Sequence, residues 1–168
     1  MLKKIWMTLM VCTTVVLLYG QDPKTSEDVE RQFDFWVGDW DVYKYGTDKL
    51  VGVNKIERIL GGKAIRETYA AAGSKYEGTS LNKYNPQSGK WEQYWVDNSG
   101  LTLHIKGGIE NGKMILQNKE ERKEGLFENK ITWIPQKDGT VRQIWETKSA
   151  TEAAWKTAFD GLYKRKKE

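Results

Sequence analysis

The sequence predicts an all-β chain, an antiparallel up-and-down β-barrel of about nine or ten strands with a short helix at its N-terminal edge. Three observations predict it. Strand-length runs recur at spacings of roughly 8–12 residues, each closed by turn residues. No segment after residue 32 keeps a sustained 3.6-residue apolar period. Every connection is of hairpin scale, which forces neighbouring strands to run antiparallel. Antiparallel strands taken in order either leave two raw edges or close on themselves, and closure removes the edges altogether. A sandwich of two sheets is the alternative architecture.

The elements follow in order along the chain. SEDVERQFDF (26–35) starts a short helix with Ser26 as its N-cap. WDVYKY (40–45) breaks at GTDK, VGVNKIERIL (51–60) at GGK, and AIRETYA (64–70) at AGSK. YEGTSLNKY (76–84) gives way to NPQSG, WEQYWVD (91–97) to NSG, and LTLHIKG (101–107) runs on toward ENG. KMILQNKEE (113–121) joins LFENKITWI (126–134) through RKEG, and PQKDG leads into VRQIWETKS (141–149). AAWKTAFDGLYKRK closes the chain. Asn111-Gly112 and Asp138-Gly139 are the strongest turn signals, because both residue types tolerate positive φ.

Residues 1–20 are expected to leave before folding. A short basic start (Lys3, Lys4) precedes an uncharged, mostly apolar run from Ile5 to Tyr19, and GQDPKTSED follows. That is the pattern of a secretory signal peptide, too short for a spanning helix. Cleavage is expected between Gly20 and Gln21, although Leu18 is large for its position. Acylation at Cys12 is the alternative, disfavoured by bulky Val11 and by the apolar residues left beyond it. Residues 21–32 then form a linker with the short helix, and 33–168 the barrel domain. The expected destination is the periplasm or the exterior, with no stable membrane insertion once the signal is removed.

The one cysteine departs with the signal, so the mature chain carries neither an internal disulfide nor a thiolate. About 148 residues remain, enough to bury roughly 68–70% of the unfolded surface without covalent staples. The formal charge falls from +4 to +2 with Lys3 and Lys4 gone. That bias is too small to indicate nucleic acid, and the basic KRKKE end reads as a solvated tail.

FDFWVGDWDVY (33–43) places Trp36 and Trp40 on either side of Gly38. A short helix followed by G-x-W at the entry to the first strand resembles the lipocalins and wider calycins. In that group the tryptophan lies across the closed end of the barrel, packed against an arginine from the last strand. The resemblance implies that Trp40 meets Arg165 of FDGLYKRK, with Phe33, Phe35 and Trp36 packed nearby as the barrel plug. Over residues 33–165 the chain resembles more specifically a bacterial secreted family, domain of unknown function 1579. The motifs are FDFWVGDWDV, IERILGGKAIRE, SLNKYNPQSGKWEQYWVD, ENGKMIL, TWIPQKDGTVRQIWE and FDGLYKR, in that order. This resemblance implies a lipocalin-like barrel and brings no activity with it.

Alternation divides each strand into two faces. Trp91, Gln93, Trp95 and Asp97 share one side of their strand; Val141, Gln143, Trp145 and Thr147 share one side of theirs. An amide set between large apolar groups, twice over, is the composition of a small-molecule pocket, and equally of a solid core whose amides bond to one another. Arg66 and Arg142 interrupt apolar runs. Facing outward they form surface ion pairs; facing inward they anchor a ligand carboxylate or phosphate. Tyr69 is a further polar candidate.

Leu101, Leu103 and Ile105 share one face and the chain's single histidine, His104, lies on the other. With the leucines inside, His104 is a surface residue. Haem-binding calycins such as the nitrobindins ligate iron through one histidine in such a barrel, which makes haem through His104 the cofactor alternative to none. None of their other motifs is present. A Cys/His zinc site is excluded by the inventory, the serines lack a nucleophile elbow, and the paired glycines at 61–62 and 107–108 lack phosphate-loop spacing. Acid–base chemistry by Glu67, Asp97 or Glu146 with Tyr69 or Tyr94 is a second class of function. A filled barrel acting through its surface is a third. The expected partner is a small hydrophobic or amphipathic molecule, held by Arg66, Tyr69, Trp91, Gln93, Trp95, Arg142, Gln143 and Trp145.

Overall fold

Ten strands follow one another around a closed ring in a computed structural model that describes residues 26–167. The expected signal segment and its cleavage point, Cys12, and the Ser26 side chain expected as a cap lie outside the residues and side chains described. A short helix, α1 (Ser26–Glu30), leads through a 3-10 turn (Asp34–Trp36) into β1 (Gly38–Lys44). Then come β2 (Leu50–Ile59), β3 (Ala64–Ala71), β4 (Glu77–Asn85), β5 (Lys90–Asp97) and β6 (Thr102–Glu110). β7 (Lys113–Arg122), β8 (Gly125–Pro135), β9 (Val141–Ser149) and β10 (Lys156–Arg165) complete the ring. Each strand pairs antiparallel with its sequence neighbours, and β10 returns to β1 with Trp40 opposite Arg165 and Val42 opposite Tyr163. Closure rules out the two-sheet sandwich.

Period-two patterning builds these strands. On β2, Gly52, Asn54 and Ile56 are buried, whereas Val53 and Lys55 face water. On β8, Asn129, Ile131 and Trp133 are buried between more exposed neighbours. Asn111 (φ 49°) and Gly112 (φ 76°) make the two-residue turn between β6 and β7, the conformation that suits the twist of a tight hairpin. The β6–β7 ladder is short, from Lys106↔Gln117 to Glu110↔Lys113. Where it stops, the Asn118 side chain donates to the His104 carbonyl at 3.0 Å.

The end at which β1 begins and β10 finishes, the foot, is solid. Phe33 and Trp36 are fully buried there, their rings stacked with centroids 4.9 Å apart. Trp133 lies 5.1 Å from Phe33 and 5.3 Å from Trp36, and Trp91 lies 5.6 Å from Phe33. The Trp40 indole donates through Nε1 to the Trp36 carbonyl at 2.8 Å, and Phe35 packs 5.5 Å from Phe33. The Arg165 guanidinium stands 4.1 Å from the Trp40 ring centroid and donates to the Val37 carbonyl at 2.8 Å. Gly38 makes that approach feasible. Its φ is 144°, and a Cβ there would come 1.8 Å from Arg165 Nη1. Arg58, at the foot end of β2, binds the Asp34 carboxylate and the Glu30 carbonyl, tying the N-terminal segment to the ring.

Candidate functional site

Above the plug, toward the mouth where β2 and β10 begin, the barrel is hollow. The cavity holds about 250 Å³, just under the range of roughly 300–1,000 Å³ usual for sites of drug-sized ligands. The hollow-or-filled alternatives are thus divided along the barrel axis. β5 shows the division on one face: Trp91 is packed in the plug, Gln93 reaches the floor, and Trp95 forms a wall.

Rings from four strands and one connection make the walls: Tyr69 on β3, Tyr76 between β3 and β4, Trp95 on β5, Trp145 on β9 and Phe159 on β10. Gly78 lets Trp95 lie against the sheet, since a Cβ on that residue would fall 2.2 Å from the indole. Leu103 and Ile131 add aliphatic surface. Hydrogen bonds fix the rings: Tyr69 donates to the Val51 carbonyl at 3.0 Å, and Trp145 Nε1 to Asn129 at 3.1 Å. At the mouth one carboxylate organises two of them. Asp97 Oδ2 accepts from the Tyr76 hydroxyl at 2.9 Å and from Trp95 Nε1 at 3.1 Å. Burial alone would raise this carboxyl, but the bonds it accepts from Ser99, Trp95, Tyr76 and the Leu101 amide outweigh it and bring it down to about 2.

The floor is polar. Asn54 Nδ2 donates to Glu67 Oε1 at 2.7 Å, and the Ser80 hydroxyl to Glu67 Oε2 at 2.6 Å. Asn82 Nδ2 donates to the Ser80 oxygen at 2.8 Å, and Gln93 Nε2 to Asn82 Oδ1 at 2.8 Å. The Tyr163 hydroxyl donates to Gln143 and sits 3.4 Å from Asn54 Nδ2. Asn54 Oδ1 is buried and finds no donor among the described residues. Burial pushes the Glu67 carboxyl up to about 7, against the opposing bonds from Ser80 and Asn54. Burial, with Glu67 nearby, also raises the Tyr163 hydroxyl well above its ordinary value.

The candidate residues separate cleanly. Tyr69, Gln93, Trp95, Gln143 and Trp145 line the cavity together. Trp91 does not, being one layer deeper in the plug. The two arginines proposed as anchors face away from it. Arg66 is exposed on the outer wall and pairs with Glu57 at 2.9 Å. Arg142 grips Asp160 through two bonds of 2.9 and 2.7 Å and covers the Tyr45 ring. Both sit one position off the inward face, so neither reaches a ligand in the cavity. Glu146 also faces outward, paired with Lys130 at 2.9 Å.

His104 stacks on Tyr94 with centroids 3.9 Å apart, and its Nε2 lies 3.2 Å from Glu92 Oε2. Both belong to the outer face, opposite Gln93 and Leu103, so His104 does not fit as the ligand of a haem inside the barrel, and Tyr94 does not reach the cavity.

Tyr76, Tyr163 and the Asn54–Ser80–Asn82 chain are the site residues that sequence reasoning passed over, and Glu67 entered it only as an acid–base candidate, not as a ligand contact. A signal was present: Ile65, Glu67 and Tyr69 share a face, as do Ser80, Asn82 and Tyr84. An acid flanked at i−2 and i+2 by large apolar groups belongs on the inner side of an alternating strand. No family model matches this chain, and a search of curated proteins finds no match.

Proposed function

We propose that this protein is a secreted, lipocalin-like barrel that binds one small, partly apolar molecule in the cavity above the plug. The observation that carries the reading is an aromatic-walled cavity of about 250 Å³ that ends on the Glu67 carboxyl. Hydrogen bonds to Asp97, Asn129 and the Val51 carbonyl hold three of the rings in place, so the apolar walls are preformed for a ligand. Secretion to the periplasm or exterior, and kinship with the secreted family that the motifs resemble, belong to the same proposal. They rest on residues 1–20 and on the order of the motifs.

Native mass spectrometry of the protein purified from its export route tests the reading, together with titration by a neutral aromatic such as 2-phenylethanol. The expected result is a released small mass, or saturable quenching of tryptophan emission that Trp95→Leu and Trp145→Leu reduce. Absence of both overturns binding in favour of a barrel that acts through its surface. Catalysis is the second reading, supported by a floor carboxyl placed near 7, where a general acid or base works best. A co-purified ligand that changes mass on incubation with the native chain, and not with Glu67→Gln, would decide for it.

A further inference from the structure

We propose that the cavity selects organic ammonium ions: a small aromatic or alkyl amine whose cationic head reaches the Glu67 carboxyl. The proposal rests on the cavity being a ligand site. Four observations converge on it. Among the described residues, no lysine, arginine or histidine lines the cavity, and the one acidic lining residue is Glu67. The floor asks for donors. Glu67 uses two of the roughly four acceptor positions of a carboxylate on Asn54 and Ser80. Asn54 Oδ1 beside it has no donor among the described residues. An ammonium group brings up to three N–H donors and the compensating charge in one small head.

The walls point the same way. Trp95, Trp145, Tyr69, Tyr76 and Phe159 surround the space with ring faces and edges, and a cation over an aromatic face is attracted more strongly where water is excluded. At the mouth the Asp97 carboxylate, bonded to the wall residues Tyr76 and Trp95, adds a second negative charge next to the cavity walls. Among the charged groups at the mouth ends of the strands, Arg122 pairs with Glu120 and Lys156 with Glu152. An anionic ligand inside the cavity would meet the Glu67 carboxyl and no cation among the lining residues. This reverses the expectation drawn from Arg66 and Arg142, because both arginines are spent on outer-wall partners.

Ionisation of Glu67 gives the proposal its own signature. Around that carboxyl, Tyr69 and Tyr163 are both raised from the ordinary phenol value and stay neutral. Tyr76 is raised as well. Asp97 is already ionised below pH 5, and His104 lies on the outer face. An amine that binds the carboxylate form alone therefore gains about 30-fold in apparent affinity between pH 5.5 and pH 8, given a carboxyl near 7.

Phenethylamine, 2-phenylethanol and phenylacetate are three probes of similar size that carry a cation, a neutral hydroxyl and an anion. Calorimetric titration of each into the full mature chain at both pH values decides the matter. Expected is an amine at least 10-fold tighter than the alcohol at pH 8, phenylacetate weakest, and the pH gain confined to the amine. Glu67→Gln should erase both the preference and the gain while 2-phenylethanol still binds, and His104→Asn should preserve them. If Glu67→Gln does not fold, the pH comparison on the unaltered chain carries the test. Equal, pH-independent binding of alcohol and amine sinks the ammonium proposal and leaves the ligand-binding reading intact. Failure of all three probes, with no co-purified mass, overturns both.

Discussion

Glu67 is held where a carboxyl is costly to ionise. Its ordinary value is 4.5 and burial takes it to about 7. Between those values the unfolded chain gives up a proton that the folded chain keeps. Stability therefore falls as pH rises from about 4.5 to about 7 and levels off above, by about 3 kcal/mol in all. Ionisation costs the fold what it offers a ligand. Glu67→Gln should accordingly be more stable than the native protein at pH 8, by up to that amount, and close to it at pH 4.5. Urea unfolding at the two pH values measures the difference. A variant that loses stability equally at both would show that the hydrogen bonds from Asn54 and Ser80, not the charge, dominate at this position. An amine bound to Glu67 would remove part of the same penalty, so amine-dependent thermal stabilisation belongs at pH 8 and not at pH 5.5.

At the scale of elements, the N-terminal segment is a separate insert that fills the foot of a ring it does not pair with. Its 3-10 turn contributes Trp36 to a cluster with Phe33, Trp91 and Trp133. The indole nitrogens of Trp36, Trp91 and Trp133 are buried without an acceptor among the described residues, so these three rings are held by packing and not by hydrogen bonds of their own. Trp36→Ala leaves a large void and should cost about 3–5 kcal/mol. Trp36→Phe removes an unsatisfied N–H along with part of the ring and should cost well under half of that. Thermal unfolding of the two variants compares them directly; similar losses would mean that the N–H contributes after all. Arg58 and Arg165 work at the edge of the same insert, one on Asp34 and one on Trp40. Each holds a chain entry rather than a ligand.

For the whole molecule, acid and base act on different parts of the barrel. Glu92, covered on the outer wall by Asn85, Tyr94, His104 and Lys106, is raised by burial. Those partners reverse the effect and bring it to about 2. Asp97 at the mouth has the same value. Depressed carboxyls stabilise the fold above their ordinary values, and that contribution disappears as pH falls from about 4.5 toward 2. Glu67 acts in the opposite direction above 4.5. The thermal midpoint should therefore peak at about pH 5 in the absence of ligand, read by circular dichroism across pH 3–9. A maximum at neutral pH would contradict the buried state of Glu67.

Much of this molecule is legible in its sequence, for local reasons. Alternation and turn residues mark ten strands, each within a few residues of its place, because a strand's period and a hairpin's φ values are properties of a short stretch. Gly38, Trp40 and Arg165 announce the closed end. Alternation also groups Gln93 with Trp95 and Gln143 with Trp145, which do share the cavity. What alternation lacks is depth and sign. Nothing within WEQYWVD distinguishes Trp91, sealed in the plug, from Trp95, facing the space, because they share a face and differ only in height along the barrel axis. AIRETYA puts Glu67 on one face with Ile65 and Tyr69, and Arg66 on the other, but the stretch alone does not choose to keep a carboxyl buried. That choice comes from Asn54 and Ser80, 13 residues away on either side, which β2 and β4 bring against β3. A sequence fixes the period of each strand locally; only ring closure, which sets every strand's height and facing against its neighbours, decides where the hollow lies and which charge lies at its floor.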